Sequence, residues 1–451
     1  MPLYSPHAYD RTRPLGSYWE TTVEPEARND SALEGDAQAD FAIVGGGFTG
    51  LNAALRLATR HSADVALLEA GDIGWGASGR NGGFCCVGGS KRSLTDLVRH
   101  YGHDETARFL DFQAQAIEHV RDLLATHGVD ADTHSDGELS LAYREKAVRG
   151  LQEEAAQLRS TFGIELKIHS RAELAEMGVA GPEFFGGATL DRGFALNPLK
   201  YAKGLARAAR DAGAKLYRRS AVTSICRENG GWRLDTAHGR LFARRLVMAT
   251  NGYLEEGRAG TPFKALEGRL LPVLSSVLVT RPLTADELAA QGWTSHQMAY
   301  DTRRLLHYFR LMPDGRFLFG MRGGTNTTPR CDVKTRREIL ADFHRMFPAW
   351  RDVEVTHVWS GFVCMSANLN PYVGPLDTAP DAFAALAYHG NGVAMGSRCG
   401  VAVADMAAGA TTPADLPAVI RGPLKRFPFP TLRKAYLKAA YRWYALCDEV
   451  F

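Results

Sequence analysis

The chain has 451 residues, 45% hydrophobic and 23% charged, the composition of a folded globular protein and not of a disordered one. At roughly 100–200 residues per domain, with single cores ceasing to grow at about 250–300 residues, it calls for two or three folding units. A net charge of +3 excludes an electrostatic mandate for nucleic acid.

Residues 1–37 show no period and carry an acidic stretch, so they read as an arm over the surface of a first domain. Asp40-Phe41-Ala42-Ile43-Val44 reads as a short buried strand, Gly45 to Gly50 as a turn, and Leu51 to Arg60 as a helix with apolar residues at helical spacing. Val65 to Leu68 is a second apolar run, ending in Glu69. Residues 93–160 are mostly helical in pattern. Asn197-Pro198 supplies a helix cap and first turn. Short strands follow near 215–217, 221–225 and 231–235, and Arg245 to Thr250 is another buried-type strand. Residues 269–325 are β-rich, with a hairpin turn at Pro313-Asp314-Gly315-Arg316. A basic amphipathic helix is predicted over 334–347, short strands over 356–376, and an apolar strand over 383–388. A glycine-rich turn then leads into a small-residue helix at about 396–408. The basic, aromatic stretch 425–444 is interrupted by Pro428 and Pro430.

The seven cysteines show no CxxC pair and no disulfide framework, so reduced thiols in the cytoplasm are expected. The first twenty residues lack a signal-peptide core, and no run of 18 apolar residues predicts a membrane span. Glycine, by contrast, is abundant: 46 residues, about ten per cent against a usual 7%.

The strongest motif is Gly45, Gly47 and Gly50 between strand and helix. Gly45 permits the tight turn, Gly47 allows a pyrophosphate to approach backbone, and Gly50 allows the helix to pack on the strand. The helix start, with Phe48 and Thr49, offers free amides and partial positive charge to phosphate. Glu69 lies roughly two dozen positions on, near the spacing expected of a ribose-binding acid. Dinucleotide binding follows. The glycine-rich run 71–83 then suggests backbone laid against a flat ring system, which favours FAD over NAD.

At this point the chain resembles the FAD-dependent amine and amino-acid oxidases of the D-amino-acid oxidase/glycine oxidase superfamily, closest to the γ-glutamylputrescine oxidase-like branch. DFAIVGGGFTGLNAALRLA, GWGASGRNGG, LNPLKYAKGLARAA, ATNGY and HGNGV carry the resemblance in chain order. It implies an α/β fold: a glutathione-reductase-type FAD-binding Rossmann domain plus a mixed, largely antiparallel β-sheet substrate domain with helices. The FAD domain is expected from 38–92, 191–258 and 356–415, the substrate domain from 93–190 and 259–355, and a C-terminal segment from 416–451. The implied cofactor contacts are Gly45, Gly47, Phe48, Thr49, Gly50, Glu69 and Ala70; Gly76, Ala77, Ser78, Arg80, Asn81, Gly82 and Gly83; Val222, Thr250, Asn251 and Gly361; and Gly390, Asn391, Gly392 and Val393. A covalent histidine would fall at Arg80, and a covalent cysteine nearer Gly361 than Cys364, so non-covalent FAD is expected.

For substrate, the resemblance points to Phe84 (where the branch has Gln), Tyr300, His307 and Arg322. Lys264 is a candidate for promoting oxygen reaction, and His389 for tuning the ring or contacting substrate. The carboxylate-binding basic residues of sarcosine-oxidase-like and glycine-oxidase-like relatives fall at Ala394 and near Gly361, and both are missing. A larger primary or secondary amine, such as a polyamine derivative, is therefore expected, oxidised to an imine that hydrolyses to aldehyde. Oxygen would reoxidise the flavin to give peroxide. The alternatives are an amine or imino-acid dehydrogenase using a quinone or carrier protein and, more remotely, a non-catalytic FAD-binding protein.

Overall fold

The computed structural model describes residues 3–14, 16–24, 31–256 and 263–450. Two eight-stranded sheets organise them. The first runs in the order Tyr372–Pro375, Ala382–Leu386, Gly239–Met248, Gly35–Val44, Val65–Leu68, Lys215–Tyr217, with the hairpin Ser224–Glu228/Gly231–Asp235 attached to Gly239–Met248. Its centre is parallel: Ile43 pairs with both Val247 and Leu67. Strand periodicity explains its two-sided burial. Phe41, Ile43, Val65 and Leu67 face one core with the helices Phe48–His61, Pro198–Asp211 and Ala394–Ala407. Ala42, Val44, Ala66 and Leu68 face the other.

Gly50 is required where the first helix meets its strand. A Cβ there would lie 1.9 Å from the Gly45 carbonyl oxygen, so only glycine lets the helix start this close. Asn197 caps the helix Pro198–Asp211 by accepting the Lys200 amide at 3.2 Å.

The second sheet runs Val355–Ser366, Leu270–Pro282, Arg316–Arg322, His307–Leu311, Met298–Asp301, Glu138–Ala142, Gly186–Leu190, Lys167–Ser170. All its pairings are antiparallel except Met298–Asp301 with Glu138–Ala142. Its core is aromatic: Phe309, Phe317, Phe319, Phe343 and Phe347 pack around Trp293 and Trp350. The predicted helix at 334–347 starts earlier, at Pro329, because the Thr328 side chain caps it.

Several elements lie elsewhere than expected. Residues 356–366 are expected in the first domain, but the strand Val355–Ser366 pairs along Leu270–Pro282 in the second sheet, from Leu270↔Ser366 to Thr280↔Val355. The helix His103–Thr126 falls within 93–190, expected in the second domain. Its stripe of Phe109, Phe112, Ala116, Ile117 and Val120 instead joins the core of the first. The arm does not simply overlie the first domain. Tyr4 and Tyr9 pack on Leu274 and Phe362, and Trp19 packs with Leu199, Val277 and Trp359, so it straddles both sheets. Among the described residues, no helix is long and apolar enough to cross a membrane.

Candidate active site

A large cavity opens where the carboxyl ends of the parallel strands meet the second sheet. This is where doubly wound folds place their ligands. One wall carries Gly45, Gly47, Phe48, Thr49, Glu69 and Ala70 from the strand ends and the first helix. Gly76, Ala77, Ser78, Arg80, Asn81 and Gly82 come from the glycine-rich loop. Val222, Thr250, Asn251, Gly361, Gly390, Asn391, Gly392 and Val393 complete it. Residues scattered through the chain thus meet on one surface.

The wall is held by its own hydrogen bonds. Glu69 accepts the amides of Gly46 and Gly71 at 2.6 and 2.7 Å. Burial pushes its carboxyl up, and these amides pull it back. Ser78 Oγ accepts the Phe48 amide at 3.0 Å. Arg80 lies over the Trp75 ring and donates to the Trp75 and Ser360 carbonyls. Asn81 Oδ1 accepts the Gly83 amide at 2.8 Å, and Trp19 Nε1 donates to the Asn81 carbonyl at 2.9 Å. The Asn391 side chain donates to Val87 O at 2.6 Å, tying the last glycine-rich loop to the segment after Phe84.

Four expected contacts do not reach the wall. Gly50 lies behind it, against Gly45, and Gly83 packs on the Leu196 carbonyl. Lys264 is exposed on the short turn Lys264–Leu266, away from the lining residues. His307 is buried behind the sheet, with Nδ1 2.8 Å from Asp301 and Nε2 3.3 Å from Asp342. Two carboxylates raise it to about 9 against the opposing effect of burial. It is an ion-paired structural residue, because its strand turns that side chain toward Asp301 instead of the cavity.

Phe84, Tyr300, Arg322 and His389 do line the cavity. Phe84 meets Tyr308 edge-on at 5.6 Å. Arg322 Nη2 lies 3.4 Å from the His389 carbonyl. His389 corrects one expectation. Its Nδ1 donates to Gly89 O at 2.7 Å, and its Nε2 accepts the Ser366 amide at 3.1 Å. With both nitrogens committed, and burial lowering its pKa to about 3, the ring has no proton to exchange near neutrality. It fastens three segments together.

Two polar groups of the cavity escaped the sequence reading. Lys91 follows the loop at Gly88 and Gly89, is exposed, and lines the cavity. Partial desolvation, then the Arg322 charge, lowers its ammonium pKa. Glu138 heads an apolar strand and is 2% exposed. The only sequence signal for it is an acid opening the run Glu138-Leu139-Ser140-Leu141-Ala142.

Residues 40–406 match the family model described as FAD dependent oxidoreductase. The chain belongs to this family. The flavoprotein is 32% identical to the probable oxidoreductase OrdL of Rhizobium meliloti over 438 residues, covering 96% of this chain and 97% of that protein. It is 30% identical to the gamma-glutamylputrescine oxidoreductase of Escherichia coli, covering 97% and 99%. In fold it is similar to the glycine oxidase of Geobacillus kaustophilus, with a TM-score of 0.69 at 22% identity over 86% of this chain and 98% of that one.

The cavity of this FAD-dependent oxidoreductase fits its cofactor on structural grounds. Of the first-turn amides of the helix Phe48–His61, which lack i−4 carbonyl partners by construction, that of Phe48 goes to Ser78 Oγ and that of Thr49 belongs to a residue on the wall. Thr250 Oγ1 and Trp75 Nε1 line the same cavity, buried and without hydrogen-bond partners among the described residues. Buried polar atoms of this kind call for a ligand or water.

Proposed function

We propose that this flavoprotein oxidises a primary or secondary amine, a polyamine derivative or a related compound, to an imine that water converts to aldehyde. Non-covalently bound FAD supplies the acceptor for a hydride from the carbon beside nitrogen. In this reading the wall residues from Gly45 to Val393 hold the cofactor, with the Thr49 amide of the first helix at the phosphates and Glu69 at a ribose. Non-covalent attachment is supported by Cys364, a cavity thiol that burial pushes far from its reactive thiolate form.

One observation carries the substrate reading. The cavity joins the aromatic side chains Phe84, Tyr300 and Tyr308 to a buried carboxyl, Glu138, and aromatic faces with an acid attract a cationic nitrogen. Arg322 and Lys91 stand on the same cavity and suit a carboxylate or amide oxygen remote from that nitrogen. The named activity of the Escherichia coli relative is consistent with such a substrate. We place the reaction in the cytoplasm, where thiols stay reduced; all seven cysteines are free.

Anaerobic mixing of the yellow protein with polyamines, γ-glutamyl amines, N-methyl amino acids and cyclic imino acids tests this. Bleaching of the flavin band by the first two classes is expected. Bleaching only by small amino acids, or by none of the panel, overturns the reading. We take oxygen as the electron acceptor, which predicts peroxide formed in step with oxygen use. Transfer to a quinone or carrier protein is favoured by one feature, the exposure of Lys264 outside the cavity. Turnover only with an added acceptor would establish that alternative.

A further inference from the structure

Glu138 is buried but faces the cavity. An ionised carboxylate in such a place is costly unless a cation pairs with it. No cation is among the groups that act on it most strongly. The Val87 amide, the Cys86 thiol and the Tyr300 hydroxyl are directed at the carboxyl, yet Oε1 has no hydrogen-bond partner among the described residues. The remaining titratable neighbours are Cys85 and, from the helix Glu145–Phe162, Glu154. Glu154 acts in the same direction as burial, and together they raise Glu138 to about 8. Lys91 and Arg322 act instead on Cys86. The site is a carboxyl with a spare, buried oxygen and no cation among its strongest influences, on a residue that lines the cavity.

We propose that Glu138 is the proton acceptor for the substrate's ammonium group, with Oε1 taking one N–H proton as the amine enters. The assignment rests on the amine reading above. One N–H bond breaks and one O–H bond forms. Ammonium and carboxylate become neutral amine and carboxylic acid, and no electrons move. In water about six pH units separate a glutamate from an alkyl ammonium, so the transfer is uphill. Burial raises the acid and lowers the ammonium, and the gap narrows from both sides. Tyr300, hydrogen-bonded to the same carboxyl, orients it. The neutral amine carries the lone pair that oxidation of the neighbouring carbon requires. The ammonium does not.

The test compares wild type and Glu138→Gln, nearly equal in volume. Anaerobic flavin bleaching by the best amine is followed from pH 6 to 10, with FAD content and Tm measured alongside. The variant should bleach at least about 100-fold more slowly at pH 7, climb roughly tenfold per pH unit, and approach wild type near the amine's own pKa. A second readout needs no turnover. tert-Butylamine has no hydrogen on the carbon beside nitrogen and is not oxidised. Added at pH 9, it should raise the infrared band of a protonated carboxyl in wild type and not in the variant. An unchanged profile, an equal loss at every pH, or no band in wild type overturns the assignment of Glu138 while leaving the amine reading intact. If no amine bleaches wild type, the amine reading fails and this assignment with it.

Discussion

Glu69 holds Gly46 at the end of the first strand: its Oε2 accepts the Gly46 amide at 2.6 Å, while Oε1 takes that of Gly71. The acid expected to face a ribose therefore also latches the glycine-rich turn to the second strand. Hydrogen bonds to a charged group contribute about 1.5–3 kcal/mol each. Glu69→Gln keeps one acceptor and turns an amide toward the other donor. FAD should bind about 10- to 100-fold more weakly, measured by reconstitution of the apoprotein and flavin fluorescence. Unchanged affinity would show that the latch has no part in binding.

Gly83 sits at φ +74°, and a Cβ there would lie 1.9 Å from the Leu196 carbonyl oxygen. The segments cannot easily part, because the Leu196 amide donates to Gly83 O at 2.8 Å. Gly83→Ala should cost more than about 3 kcal/mol in denaturant unfolding. Gly213 also has a positive φ, but nothing lies within 4 Å of its Cβ position. Gly213→Ala should cost only about 1 kcal/mol, and equal losses for the two would remove the steric argument.

His307 predicts a pH dependence of stability. Its folded pKa, about 9, stands above the ordinary value near 6.5. Its contribution is full below pH 6.5 and fades as pH rises through about 9, by on the order of 3 kcal/mol. Asp301, held low by His307 and Arg303 against burial, stays ionised across that window. Urea unfolding at pH 6, 7.5 and 9 should show the stability gap between wild type and His307→Gln shrinking with rising pH. A constant gap would refute the ion pair.

His389 predicts the opposite kind of result. Its ring is neutral, with both nitrogens bonded to backbone, so it supplies no ionisation between pH 5 and 9. His389→Ala should lower Tm and FAD retention, since it frees Gly89 and Ser366, without changing the shape of the pH–rate profile for flavin reduction. Loss of one limb of that profile would restore a proton-transfer role.

Local patterns made much of this molecule legible. The run from Asp40 to Arg60 announces a strand, turn and helix because each depends on neighbours in sequence. The hairpin at Pro313–Arg316 is legible for the same reason. The allocation of Val355–Ser366 was not, since a strand's partner is chosen across the whole chain. Its alternation is equally compatible with either sheet. His307 looked like a cavity residue because aromatic and basic residues on a sheet advertise two faces, and only pairing with Asp301 settles which face it takes. Lys264, expected near the flavin, is exposed outside the cavity lining.

The sequence by itself determined the cofactor class, the parallel core and the glycine-rich loops that line the cavity, because glycine spacing and strand–helix periodicity are short-range properties. Only the tertiary structure brought Glu138 and Lys91 to the cavity that Tyr300 and Arg322, named from the sequence, also line. Glu138, Lys91, Tyr300 and Arg322 lie far apart in sequence and meet on one cavity. Glu138 carries its raised pKa because the folded chain removes it from water and sets Glu154 near it, with no cation among its strongest influences. Burial and missing counter-ions are properties of a packed assembly, and no local pattern encodes them.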